Sequence, residues 1–160
     1  MTHRAQVITI SDRVSAKTME DESGPALVQI LTAGGFDVLG PTVVPDSQER
    51  ITAAILAAGA AGAGLVVTTG GTGLGPRDVT PQATAVLLDY EVPGLSETMR
   101  RAGAATTPMA MLSRGLAGVR GRTLIVNVPG SLAGASESLQ AVMPALPHAV
   151  RLLQGDTSHK

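Results

Sequence analysis

Apolar positions along the chain come in short runs and helical stripes that alternate. Ala5–Ile10 is a β-rich run that stops at Ser11-Asp12-Arg13, the pattern of a buried first strand entering a loop. Ser23-Gly24-Pro25 opens a helix, with Ser23 as cap, Pro25 in the first turn and Leu27, Ile30 and Leu31 on one face; Gly34-Gly35 ends it. Phe36–Val44 reads as a second strand interrupted by Gly40-Pro41, where the proline predicts an edge position or a bend. Asp46 or Ser47 caps the next helix, which buries Ile51 and Ile55 and closes in the Ala/Gly-rich run Ala57–Gly64. Leu65–Thr69 is a compact third strand leading into Gly70-Gly71-Thr72-Gly73-Leu74-Gly75.

Thr80-Pro81 starts a helix carrying Val86, Leu87 and Leu88, and Val92–Gly103 is helical again. Ser113–Gly121 reads as a turn between short extended pieces, and Thr123–Val128 as a buried strand. After Ser131, Leu139, Val142, Met143, Leu146, Val150 and Leu153 keep helical spacing, with Pro144 and Pro147 kinking or dividing the segment. Strands alternating with helices predict a mostly parallel sheet covered on both faces, a three-layer α/β/α architecture. No repeat or linker interrupts 1–154, read as one domain, and 155–160 reads as a flexible tail.

Composition narrows the classes. Apolar residues make up 44% of 160, which suits a folded core, but Phe36 and Tyr90 are the only aromatic residues. So few aromatics argue against a single-stranded nucleic-acid binder, and a net charge of −1 against DNA or an acidic membrane surface. No stretch reaches membrane-spanning length and no basic, apolar leader opens the chain, so a cytoplasmic location is expected. Without cysteines, thiolate metal sites and disulfides are excluded. His3, His148 and His159 are too scattered to form a set.

An anionic small ligand fits the glycine run. Glycines where a buried strand ends let main-chain N–H groups approach a phosphate without a Cβ in the way, and Thr69 and Thr72 would add hydroxyl donors beside Gly70, Gly71 and Gly73. A tight structural turn is the alternative. The run lacks the Gly-Lys-Ser/Thr of a Walker A loop, and Pro76 and Pro81 break the helix that a dinucleotide fingerprint requires. Arg77 and Asp78 set a cation and a carboxylate beside it. Pro129-Gly130-Ser131, before the last helical region, is a second phosphate candidate or simply a turn capped by Ser131. Ser11, Asp12 and Arg13 either face the same crevice, Arg13 as an anion ligand, or form a solvated loop.

The ordered set Ile10-Ser11-Asp12-Arg13, Val44-Pro45-Asp46, Thr68–Pro81, Val92–Glu97, Ala110–Arg114 and Ile125–Ser131 resembles the molybdopterin adenylyltransferase family, of the MogA/MoaB type. The resemblance covers nearly the whole chain. It implies that molybdopterin and ATP are substrates, that magnesium is the cofactor, and that adenylyl-molybdopterin and pyrophosphate are formed. Asp46 and Asp78 match positions that the family uses for catalysis, and would hold the metal. Glu97, Ser113 and Arg114 match positions near the family's pterin pocket, though Arg114 could instead pair on the surface. A homotrimer or dimer of trimers is implied, with a downstream molybdenum insertase as a possible partner. One departure stands out. Many members place proline and lysine after the serine, where this chain has Leu132-Ala133.

Overall fold

The computed structural model describes residues 2–158. Strands β1 (Arg4–Ile10), β2 (Asp37–Val44), β3 (Leu65–Thr69), β4 (Tyr90–Glu91), β5 (Ala117–Arg120) and β6 (Thr123–Val128) form one sheet in the order β2-β1-β3-β6-β5-β4. β2, β1, β3 and β6 run parallel; β5 is antiparallel to β6, and β4 to β5. The helices are α1 (Asp12–Ser15), α2 (Ser23–Ala33), α3 (Gln48–Ala60), α4 (Thr80–Ala85), α5 (Pro93–Ala104), α6 (Leu132–Val142) and α7 (Leu146–Leu153).

Strand alternation divides the core. Ala5, Val7, Leu65, Val67, Leu124 and Val126 pack with Leu27 and Leu31 of α2, Met99 of α5, and Leu139, Leu146 and Val150 of α6 and α7. Ile8, Ile10, Val66 and Ile125 pack on the other face with Ile51 and Ile55 of α3 and Ala83 of α4. This is the three-layer arrangement expected, with a mostly parallel sheet. Crossover helices bring the carboxyl ends of β1, β3 and β6 to one rim, where ligands bind in open α/β sheets.

β2 is an edge strand, as Pro41 predicts, and Gly40-Pro41 is cis. The proline-rich segment after α6 divides into two helices at Met143–Ala145. Four expectations are corrected. Ser23 is the first residue of α2 and does not cap it; Asp21 Oδ1 accepts the Gly24 N–H at 2.9 Å, three residues on. The helix at Thr80 stops at Ala85, leaving Val86 exposed and only Leu87 buried after it. The 113–121 segment is no mere turn, because Ala117–Arg120 pairs with β6 and, through β4, extends the sheet. Ser11-Asp12-Arg13 is not a loop alone, since Asp12 begins a single helical turn capped by Ser11 Oγ. Residues 155–158 follow α7 with Asp156 accepting from Ser158; the rest of the tail, with His159, lies outside the described residues.

Candidate active site

At that rim, the loops after β1, β2, β3 and β6 enclose a polar cleft of about 760 Å³. Ser11, Asp12 and Arg13, Asp46, Thr69-Gly70-Gly71, Arg77-Asp78 and Gly130-Ser131 all line it. Five segments of the chain are thus brought to one place. Asp46 and Asp78 share the cleft.

The glycine loop is shaped by backbone that residues with side chains rarely adopt. Gly70 and Gly71 have φ of 104° and 69°, and a Cβ on Gly70 would strike the Ile10 carbonyl. Thr80 anchors the loop from α4, its hydroxyl donating to Gly70 O at 2.9 Å and its N–H to Gly71 O at 3.1 Å. Gly70 donates to Val128 O, so this N–H is taken. Among the described residues, the Gly71, Thr72 and Gly73 N–H groups meet no backbone carbonyl. Thr69 is not a free hydroxyl donor, contrary to expectation: buried, it donates to Pro129 O at 2.7 Å and ties the two glycine loops together. A Cβ on Gly130 would lie 3.2 Å from Gly70 Cα, so the two loops meet backbone to backbone. Ser131 caps α6 by accepting the Gly134 N–H at 3.1 Å, leaving first-turn amides and the positive helix end toward the cleft.

The acids are held in distinct ways. Ser47, not Asp46, caps α3, so the plain capping role for Asp46 falls. Asp46 Oδ2 accepts the Asp12 N–H at 2.9 Å, while Asp12 Oδ1 accepts the Asp46 N–H at 3.0 Å. Burial pushes the Asp46 carboxyl above the usual carboxylate range; the Asp12 N–H opposes this, and the Asp12 and Asp78 charges add to it. Asp78 Oδ2 accepts the Gly75 N–H at 2.9 Å, closing the 75–78 turn. Arg77 does not pair with Asp78. Its guanidinium reaches Asp12 by two nitrogens at 3.0 and 3.2 Å, and that hydrogen bonding holds the exposed Asp12 carboxyl below its ordinary value.

Two hard-oxygen carboxylates beside a phosphate cradle suit magnesium, which takes one or two protein carboxylates and completes its shell with phosphate oxygens and water. Among the described residues no group of three or more His, Cys, Asp or Glu could hold a metal alone, so a ligand's own oxygens would be needed.

A second cavity, about 320 Å³, adjoins the first at Ser131, which lines both. Its walls come from α5, the Pro108–Leu112 3₁₀ turn, α6 and the ends of β3 and β6, with Met99, Met109 and Leu112 among them. Ser113 lines it as expected. Arg114 makes no surface ion pair: Nε donates to Gly73 O at 2.9 Å, Nη2 to Asp78 O at 2.9 Å, and the main chain to Thr72 O at 2.8 Å. It staples the glycine loop from behind. Glu97 is exposed on α5 and lines neither cavity. Ser96, Met99, Arg100 and Gly103 face the pocket, and each step along a helix turns about 100° away.

Sequence reasoning passed over Asn127. Buried in β6, it donates to Thr68 Oγ1 at 2.9 Å and Thr84 Oγ1 at 3.1 Å, and accepts from Leu116 N at 3.1 Å. A polar residue amid Leu124-Ile125-Val126 was the available signal.

A family model described as a probable molybdopterin binding domain matches residues 6–148. A molybdenum cofactor biosynthesis bifunctional protein of Synechococcus elongatus is 44% identical over 94% of this chain and 47% of its own length. A molybdopterin adenylyltransferase of Helicobacter pylori is 38% identical, covering 94% of this chain and 87% of the relative. The crystal structure of the molybdopterin biosynthesis enzyme MoaB from Thermus thermophilus superposes with a TM-score of 0.90 at 50% identity, over 96% of this chain and 98% of that one. The chain spans about half or less of the length of several curated relatives, the Synechococcus protein included.

Proposed function

Because the chain belongs to the probable molybdopterin binding domain family, we propose that it is a molybdopterin adenylyltransferase of molybdenum cofactor biosynthesis. The terminal phosphate of molybdopterin attacks the α-phosphorus of ATP; a new P–O bond forms, the α–β bridging P–O bond breaks, and pyrophosphate leaves. The observation that carries this reading is the shared cleft: Asp46 and Asp78 face loop amides from two strand ends. Loop amides at Gly71–Gly73 and the amino end of α6 hold phosphates, and the rigid, stapled loop keeps the reacting groups in line. The adjoining apolar pocket takes a ring of one substrate. Asp46 and Asp78 hold magnesium, which when bound offsets charge on the phosphates. Among the described residues no helix is long and apolar enough to cross a membrane, which suits a cytosolic enzyme. A homotrimer, or a dimer of trimers, and hand-over of product to a molybdenum insertase complete the proposal. Relatives such as the bifunctional proteins are longer chains, which fits a neighbouring step in the same route.

A second reading, a protein that binds molybdopterin without chemistry, is favoured by one observation. The cleft is lined by two cations only, Arg13 and Arg77, and Arg77 is paired with Asp12; Ala133 stands where many members place the lysine. Incubation with molybdopterin, ATP and magnesium separates the two. The enzyme releases pyrophosphate in step with adenylyl-molybdopterin. Tight pterin binding with no pyrophosphate above background leaves the binder.

A further inference from the structure

Along the rim, the residues of the cleft follow the order of the strands that carry them. Asp46 follows β2, Asp12 and Arg13 follow β1, the glycine loop follows β3, and Gly130-Ser131 follows β6, with the strands side by side in that order. β1 lies two places from β6, about 10 Å across the rim. The ring pocket opens at the β6 end, at Ser131. Arg77 comes from the loop after β3 but turns to the other end, where Nε and Nη2 donate to Asp12 Oδ2 and Oδ1 at 3.0 and 3.2 Å. Among the described residues its Nη1 donates to no acceptor, so the paired guanidinium still offers N–H groups to the cleft. Both partners are exposed, and such a pair adds little to stability; what it does is fix the direction of an arginine. Arg13 lines the same cleft, but among the described residues no carboxylate aims it.

We propose that Arg77 is the residue that takes the leaving pyrophosphate, with Asp12 as its positioning residue. This rests on the adenylyl-transfer reading, with the ring of the attacking pterin in the pocket that Ser113 lines. Attacking and leaving oxygens lie roughly in line through the reacting phosphorus. A phosphate entering past Ser131 attacks from the β6 end, so the leaving group departs toward β1, where Arg77 is held. The electron pair of the broken α–β P–O bond stays on the bridging oxygen, and guanidinium N–H groups donate to the pyrophosphate as its charge grows. Asp12 also accepts the Asp46 N–H, so one side chain holds the cation and the acid in a fixed relation. The β- and γ-phosphates are thus met by a guanidinium. The α-phosphate, which stays with the product, is left to the loop amides.

Binding without turnover tests the assignment. Wild type and Arg77→Ala are titrated by calorimetry with ATP, AMP and inorganic pyrophosphate, each with magnesium. The expected result is ATP and pyrophosphate binding weakened about 10- to 100-fold with AMP binding unchanged. AMP weakened as much as ATP overturns the assignment, as do unchanged ATP and pyrophosphate affinities in the folded variant. Asp12→Asn keeps an oxygen for the Asp46 N–H and loses the anion that aims Arg77. It lowers kcat about 10-fold without weakening ATP binding, because the guanidinium remains but is no longer directed. In an Arg77→Ala background the Asp12 change has no further effect on kcat; fully additive losses remove Asp12 from the positioning role. If pyrophosphate binds through Arg77 yet no adenylyl-molybdopterin forms with both substrates present, the adenylyl-transfer reading fails while the pyrophosphate site at Arg77 stands.

Discussion

Asp12 and Asp46 are locked together by a reciprocal pair of hydrogen bonds, each carboxylate accepting the other's main-chain N–H at 2.9 and 3.0 Å. The pair joins the loops after β1 and β2, two parallel neighbours, and sets the Asp46 side chain opposite the glycine loop, where its Oδ1 lies 3.2 Å from the place a Gly71 Cβ would occupy. A residue that looks like a helix cap is thereby fixed as a wall of the cleft.

Asp46→Asn keeps an oxygen for the Asp12 N–H and removes only the charge. Turnover, measured as pyrophosphate release, falls on the order of 10²- to 10³-fold. The thermal transition stays near that of wild type. A wild-type rate removes Asp46 from the chemistry.

Acid lowers activity earlier than an ordinary aspartate would require. Burial raises the Asp46 carboxyl, so the folded protein binds that proton more tightly than the unfolded chain, and ionised Asp46 is a cost to stability above the unfolded value of 3.8 that disappears as pH falls through the raised folded value. Metal binding needs the ionised form, so the acid limb of the pH–rate profile lies above the usual carboxylate range. In Asp78→Asn the neighbouring charge is gone and the Asp46 titration, followed by carboxyl NMR, moves to lower pH. No movement means that the two acids do not sense each other.

Arg77→Ala tests what the surface pair does. Both partners are exposed, so the melting temperature at neutral pH falls only slightly. Asp12 loses the first cause of its depression and its carboxyl titrates at higher pH. Its stabilising effect, present in wild type above the unfolded value and lost as pH falls through the depressed one, largely vanishes, so wild type and variant converge in acid. ATP affinity drops as well. Unaltered Asp12 titration contradicts the pairing.

Gly70→Ala is destabilised by about 1–3 kcal/mol in urea unfolding, because φ of 104° suits glycine and a Cβ meets the Ile10 carbonyl. A stability equal to wild type means that the loop relaxes freely.

Asn127→Ala leaves Thr68, Thr84 and Leu116 without their buried partner. A cost of about 1–3 kcal/mol for each group left unsatisfied is expected, read by the same unfolding measurement.

Local periodicity and side-chain chemistry are enough to read four parallel strands, their helices, the proline at an edge, and glycines with acids after strand ends. These follow from nearest neighbours and side-chain period, which the chain carries openly. Tertiary structure decided the rest. β4 and β5 are too short to announce themselves, and only pairing beside β6 makes them strands. Thr69 became a tie between loops because Pro129 arrives sixty residues later to accept its hydrogen, and Asp46 left its capping role because Asp12 came within reach. A side chain's type limits what it can bond, but its partner is chosen by packing, and packing brings together residues that the sequence keeps far apart.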